Sequence, residues 1–202
     1  MATTPRVFVI TGPSGVGKGT LIRLLQQRIP ELVLAISATT REPRPGEREG
    51  VDYHFLDADE FQRRVEAGEF VEHADYSGRR YGTLRSELER GFAIGDAVVL
   101  EIEVQGARQV REAIPEALAV FIAPPDEAAL RERLTARGTD SEQQIERRMQ
   151  RAREELSAKD EFQHVIVNDD LGRAGDELTA LVAGALYDDP ATDRVRQAGH
   201  ER

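Results

Sequence analysis

The sequence predicts an α/β fold, a three-layer α/β/α core around a parallel sheet, and three observations carry that expectation. Short apolar runs alternate with segments of helical periodicity along most of the 202 residues. Several of those runs are continuous rather than alternating, as strands covered on both faces must be. The first run, Val7 to Ile10, leads through a glycine-rich turn directly into a helical pattern built on Leu21, Leu24, Leu25 and Ile29.

Taken in order, strands are expected at Val7 to Ile10, Val33 to Ile36, Ala97 to Ile102, Leu118 to Ala123 and Val165 to Val167. Helices are expected at about 18–29, 58–67, 83–90, 105–113, 126–137, 140–158 and 174–186. Gly138 is suited to end one helix, and Asp140 or Ser141 to cap the next. Two stretches interrupt the alternation. Residues 37–92 are polar and turn-rich, with Asp52 to Leu56 and Phe70 to Tyr76 as strands of a small α+β insertion. Residues 126–158 form an arginine-rich helical pair with an apolar seam of Ile145, Met149, Ala152 and Leu156. The core is then 1–36, 93–125 and 159–187, and the polar tail 188–202 has no periodicity and is expected to be disordered.

Composition narrows the function. A net charge of -10, from 27 basic and 37 acidic residues, argues against a nucleic-acid binder, so an anionic ligand must be met by local arginines. There is no cysteine, which removes disulfide and thiolate chemistry. No apolar run approaches the roughly 18 residues of a membrane span and no signal-peptide core opens the chain, so the expected compartment is the cytoplasm, with no membrane partner. The four histidines lack metal-ligand spacing and receive no role. No obligate protein partner is evident.

The turn after the first strand consists of Gly12, Pro13, Ser14, Gly15, Val16, Gly17, Lys18, Gly19 and Thr20, and reads as a phosphate-binding P-loop. Glycines let successive N–H groups converge on a polyphosphate, the helix N-terminus adds partial positive charge, and Lys18 adds a mobile full one. Lysine occurs only at Lys18 and Lys159 in this arginine-rich chain, so its retention in the loop is informative. The motif departs from G-x-x-x-x-G-K-[ST] at Gly19, with Thr20 one place late.

A second anion pocket is suggested by Arg41, Arg44, Tyr53 and Tyr81, with Pro43 and Pro45 stiffening the backbone. Here the chain resembles a known family. Ser37 to Glu47, followed by Gly50-Val-Asp-Tyr53, is similar to the nucleoside-monophosphate segment of guanylate kinases. The similarity continues through Phe70-Val-Glu72, Tyr81-Gly-Thr83, Leu100-Glu-Ile-Glu103 with Gln105-Gly106, Arg137-Gly138, Arg148 and Val167-Asn-Asp169, covering about residues 6–186.

That resemblance implies ATP-dependent phosphorylation of GMP and dGMP, with Mg2+ accompanying ATP. It makes 37–92 a GMP-binding subdomain and 126–158 a mobile lid. Residues Gly12 to Thr20 and Asn168 would hold ATP, with Asn168 beside adenine. Ser37, Glu72 and Thr83 would read guanine, and Arg41, Arg44, Tyr53 and Tyr81 would take the GMP phosphate, with Glu47 in the same segment. Lys18, Arg41, Arg137 and Arg148 would act on the phosphoryl group. Glu101 and Glu103 end an apolar strand, where the family often carries Asp; Glu101 is the better candidate for ordering the metal's water shell and Glu103 for the GMP side, with the assignment open. Two alternatives stand beside this reading: a related P-loop kinase of another phosphorylated small molecule, and a noncatalytic module that binds phosphopeptides through the same pocket. The intact Lys18 loop and the lack of an appended interaction domain weigh against the second.

Overall fold

A computed structural model describes residues 6–76, 78–136 and 141–187. Its main sheet is parallel, with β1 (Val7–Thr11) at the centre, flanked by β7 (Ala97–Glu101) and β8 (Leu118–Ala123), then β2 (Leu32–Leu34) and β9 (His164–Val167) at the edges. Every residue of β1 is buried, because both faces are covered. Phe8 and Ile10 point to a core shared with α1 (Lys18–Arg28) and α7 (Leu171–Tyr187). Val7 and Val9 point the other way, onto Ala107 and Val110 of α4 (Val104–Ala113). This two-faced burial is why the apolar runs are unbroken. The fold is the P-loop α/β class that the strand-loop-helix order predicts.

The insertion folds as a second sheet ordered β4-β3-β6-β5, from β3 (Ala38–Thr39), β4 (His54–Phe55), β5 (Phe70–Tyr76) and β6 (Arg79–Leu84). Phe61 of α2 (Ala58–Glu66) stacks on Phe70 with ring centroids 4.5 Å apart, and Ala38 and Leu84 complete this small core.

Several boundaries correct the sequence expectation. The strand expected at 33–36 runs Leu32–Leu34, because the N–H of Ile36 turns to the Glu87 carboxylate at 2.9 Å. The helix expected from residue 83 starts two residues later as α3 (Arg85–Ile94); Thr83 and Leu84 pair with β5 instead. Of 52–56 only His54–Phe55 is strand. β3 and β6 have no counterpart in the expected strands: β3 is two residues long and pairs with residues more than 40 positions away, while β6 (Arg79–Leu84) begins with the polar Arg79-Arg80 and returns antiparallel along β5 directly after Tyr76.

In the helical pair, α5 (Glu127–Thr135) is capped by Asp126, and α6 (Glu142–Ser157) begins with a capping box in which Ser141 and Gln144 bond reciprocally. Ile145, Met149 and Ala152 pack on Leu130 and Leu134, while Leu156 joins a separate cluster with Val104 and Phe121. The expectations placed on Arg137, Gly138, Asp140 and the tail 188–202 lie outside the described residues.

Candidate active site

A cleft of about 500 Å3 lies between the loop after β1 and the second sheet. On one wall the loop adopts left-handed backbone at Gly12, Gly15 and Gly17. At Gly12, with φ of 134°, a Cβ would stand 2.2 Å from the carbonyl oxygen of Ile122, so the loop must pass the end of β8 without a side chain. Lys18 is buried, and its ammonium donates to the carbonyls of Gly12 and Pro13 and lies 3.8 Å from Glu103. Pro13, Ser14, Gly15, Gly17, Lys18, Gly19 and Thr20 line the cleft.

Asn168, at the end of β9, sits beneath this loop. Its amide donates to the carbonyl of Val16 at 2.8 Å, and Arg133 of α5 donates to that same carbonyl and to Asn168 O at 2.7 Å. Arg133 carried no sequence signal. Its position in an arginine-rich helix hides a contact that spans 117 residues.

The opposite wall is built from side chains. Glu72 on β5 is 4% exposed and accepts a hydrogen bond from the Thr83 hydroxyl at 2.8 Å. Burial pushes its carboxyl up to about 7; the Thr83 contacts pull it down and the charge of Glu103 adds to the rise. Thr83 is itself buried behind the carboxylate and does not face the cleft, whereas Ser37, Arg44, Tyr53 and Tyr81 do. Arg41 and Glu47 also stand off the cleft: the Arg41 guanidinium bonds Glu47 at 2.9 Å and lies 5.2 Å over the Tyr53 ring. The hydrogen bond from Arg41, then that from the Arg44 backbone N–H, holds the Glu47 carboxyl below its ordinary range. Behind them, Glu87 takes the Ile36 N–H, Arg90 and His54, whose other ring nitrogen meets Glu49. Burial would raise Glu87, but Arg90, the Ile36 N–H and His54 outweigh it and hold the carboxyl low. His54, assigned no role from sequence, therefore ties the 49–55 turn to α3.

Between the walls, Glu101 and Glu103 leave the end of β7 into the cleft. The Oε2 atoms of Glu103 and of Glu155 on α6 are both buried without a hydrogen-bond partner. Burial, and then the negative charge of Glu103, pushes the Glu155 carboxyl up. Arg148 of α6 reaches across to donate to the Ser14 hydroxyl at 2.7 Å. Tyr76 also lines the cleft, with Arg151 of α6 5.1 Å over its ring; as the last residue of β5 it gave no cue in the sequence.

The donor set suits a hydrated hard cation. Glu101 and Glu103 offer carboxylate oxygens, one of them unpartnered, beside the loop, and a Cβ at Gly19 would be only 3.4 Å from Glu101 Oε2. Among the described residues no group of three or more His, Cys, Asp or Glu could cage a metal by itself. Mg2+ keeps waters and binds largely through phosphates, so the two carboxylates beside the loop are compatible with meeting its water shell. No helix of the described residues is long and apolar enough to cross a membrane.

Comparison with known proteins agrees with this geometry. The guanylate kinase family model matches residues 4–185. The guanylate kinase of Frankia casuarinae is 55% identical over 177 residues, 88% of this chain and 96% of that protein. That of Synechococcus sp. is 53% identical over 181 residues, 90% of this chain and 83% of its own. Among solved structures, guanylate kinase from Anaplasma phagocytophilum superposes with a TM-score of 0.72 at 31% identity, covering 90% of this chain and 86% of that one. A shikimate kinase from Bacteroides thetaiotaomicron, with a TM-score of 0.51 and 15% identity, shares the fold alone. A match spanning nearly the whole chain, on a fold with a glycine-lysine loop facing a buried carboxylate, means that this chain belongs to the guanylate kinase family.

Proposed function

We infer that this chain transfers the γ-phosphoryl group of ATP to GMP, and to dGMP, which presents the same base and phosphate. The observation that carries the reading is the pairing of two walls in one cleft: a loop of backbone donors with Lys18, opposite a buried Glu72 flanked by Arg44, Tyr53 and Tyr81. Guanine offers N1–H and N2–H side by side. An ionised Glu72 accepts both, with Thr83 steadying the carboxylate and Ser37 near the other base edge. Adenine would turn an acceptor toward Glu72 and leave buried groups unpaired, a mismatch costing several orders of magnitude.

Arg44 and the two tyrosines receive the GMP phosphate, and Arg41, which stands off the cleft on Glu47 and over Tyr53, joins them by exchanging its carboxylate partner for the phosphate. Lys18 turns from the loop carbonyls to the ATP phosphates, and Asn168 braces the loop near the adenine end. The attacking oxygen of GMP is already anionic, so no general base is needed and the work is alignment and charge stabilisation. Arg148, already over the loop, meets charge on the transferring group, and Arg137 is expected to join it. Glu101 and Glu103 would hold Mg2+ through its waters, and the ion, when bound, neutralises phosphate charge. The 126–158 helices act as the lid and 37–92 as the GMP subdomain. The process served is purine nucleotide supply, in the cytoplasm.

The direct test is ADP release from ATP measured with GMP, dGMP, AMP and UMP. Turnover with the two guanine nucleotides and little with the others is expected. Preference for another acceptor would mean a different kinase, and no turnover with any would favour a binding module.

A further inference from the structure

β5 is the outermost strand of the second sheet, so its free edge carries backbone groups that no strand satisfies. Its pairing with β6 also shifts register between Phe70 and Glu72, immediately ahead of the buried carboxylate. An irregular edge strand is a poor place to hold a side chain to a fraction of an ångström. Something else must fix Glu72.

Gln109 of α4 does so. Its Nε2 donates to the carbonyl of His73 at 2.7 Å, and its Oε1 accepts from the His73 N–H at 3.0 Å. A primary amide presents one donor and one acceptor side by side, as a residue of a neighbouring strand would. Gln109 thus stands in for a fifth strand at the position next to Glu72. One turn earlier on the same face of α4, Gly106 admits the carboxylate itself: a Cβ there would lie 2.3 Å from Glu72 Oε2 and 3.0 Å from its Cδ. Gly106 sets how deep the carboxylate sits, and Gln109 sets its register along the strand.

We propose that Gln109 is a specificity-positioning residue, which holds the Glu72 carboxylate where the 2-amino group of guanine meets it. The proposal rests on the assignment of Glu72 as the guanine acceptor. Glu72 lines the cleft and neither Gln109 nor Gly106 does, so both act through Glu72.

The experiment compares kcat/KM for GMP and for IMP, which lacks the 2-amino donor but shares phosphate, sugar and N1–H, in wild type, Gln109→Ala and Gln109→Met. Both variants are expected to lower the GMP-over-IMP ratio about tenfold and to raise KM for GMP, with KM for ATP unchanged. A purely structural role would reduce the active fraction, which cancels in the ratio. The ratio is therefore readable in a partly destabilised protein, and Gly106→Ala, which pushes the carboxylate from its seat, gives an independent reading in the same direction. Glu72→Gln is measured alongside. If it leaves the ratio intact, the assignment of Glu72 fails and Gln109's role falls with it. If it collapses the ratio while the Gln109 and Gly106 variants keep it, only the positioning proposal is overturned.

Discussion

The two walls of the cleft are made of different material. The loop wall is backbone: three glycines in left-handed conformations, placed at the end of a strand hydrogen-bonded on both sides and buried throughout. The wall of the second sheet is side chain against side chain, on strands as short as two residues, pinned by Glu47, Glu49 and Glu87 each taking two or more partners. A phosphate asks for many N–H donors, which a curled backbone supplies with any sequence that permits the curl. A base asks for one acceptor pair at one place, and that takes a buried carboxylate with a support of its own. Substitutions on the loop side should therefore alter rate or fold, and those on the sheet side should alter choice of substrate.

The sharpest test of that division is the residue that crosses it. Arg148 belongs to α6 but touches Ser14 of the loop. Arg148→Ala is expected to lower kcat by about 10³, the scale of an arginine acting on a transferring phosphoryl group, with a smaller change in the binding of either nucleotide. Steady-state kinetics with equilibrium nucleotide binding would show it. Lost affinity with a retained maximal rate would put Arg148 among binding groups instead.

Next in size is Glu72→Ala. It should reduce kcat/KM for GMP by roughly 10²-fold or more while KM for ATP stays near wild type, because only the guanine donors lose their acceptor. Unchanged discrimination between GMP and AMP would break the contrast between the walls.

The raised carboxyl of Glu72 gives a third, smaller effect. With its pKa pushed from an ordinary 4.5 to about 7, the free enzyme is largely protonated there at pH 6 and ionised at pH 8. kcat/KM for GMP should rise about tenfold per pH unit below 7 and level off above it. Glu72→Gln should keep only the part that comes from the GMP phosphate. Stability runs the opposite way. A carboxyl whose folded pKa exceeds its unfolded value favours the folded state at low pH, so up to about 3 kcal/mol is lost as pH rises from 4.5 to 7. Denaturation of the wild type against Glu72→Gln across that range would expose the difference.

How legible each wall was in the sequence follows from the same contrast. The loop, its strand and its helix are contiguous, so local pattern alone marks Gly12 to Thr20 as the turn between them. Glu72, Arg44, Tyr53 and Tyr81 were reachable through family motifs, but what holds them was not. Thr83 was expected in a helix, and its strand pairing to Glu72 depends on a residue 11 positions away. Gln109 meets His73 across 36 positions, and Arg133 meets Val16 across 117. An arginine on an arginine-rich helix, or a glutamine on an amphipathic one, is indistinguishable from a solvated side chain until the chain is folded. His54, which has no metal-ligand spacing in the sequence, likewise meets Glu87 across 33 positions, while its other partner, Glu49, is local.

The smallest effect, and the one that most finely sharpens the account of the loop wall, is at Gly19, where the usual loop offers a hydroxyl. Unlike Gly12, this glycine is not conformationally required. A Cβ would sit 3.4 and 3.6 Å from the Glu101 oxygens and 3.8 Å from Arg23 Nη1, ordinary contacts for a second residue of α1. Gly19→Ser should therefore fold normally and gain a few tenths of a kcal/mol from helix propensity. The added hydroxyl faces Glu101, whose carboxyl is raised by burial and pulled back by Lys18. It can donate to that carboxylate or replace one water of a bound Mg2+. Either way the ionised form of Glu101 is favoured, and half-maximal activity should come at equal or lower free Mg2+, within about threefold of wild type. A Mg2+ titration at fixed ATP and GMP, corrected for the ion bound by free ATP, measures this, and thermal midpoints of both proteins check the fold. A serine variant that needs distinctly more Mg2+ would show that the glycine keeps space for the ion's own water, and that the loop wall, too, is tuned by a missing side chain.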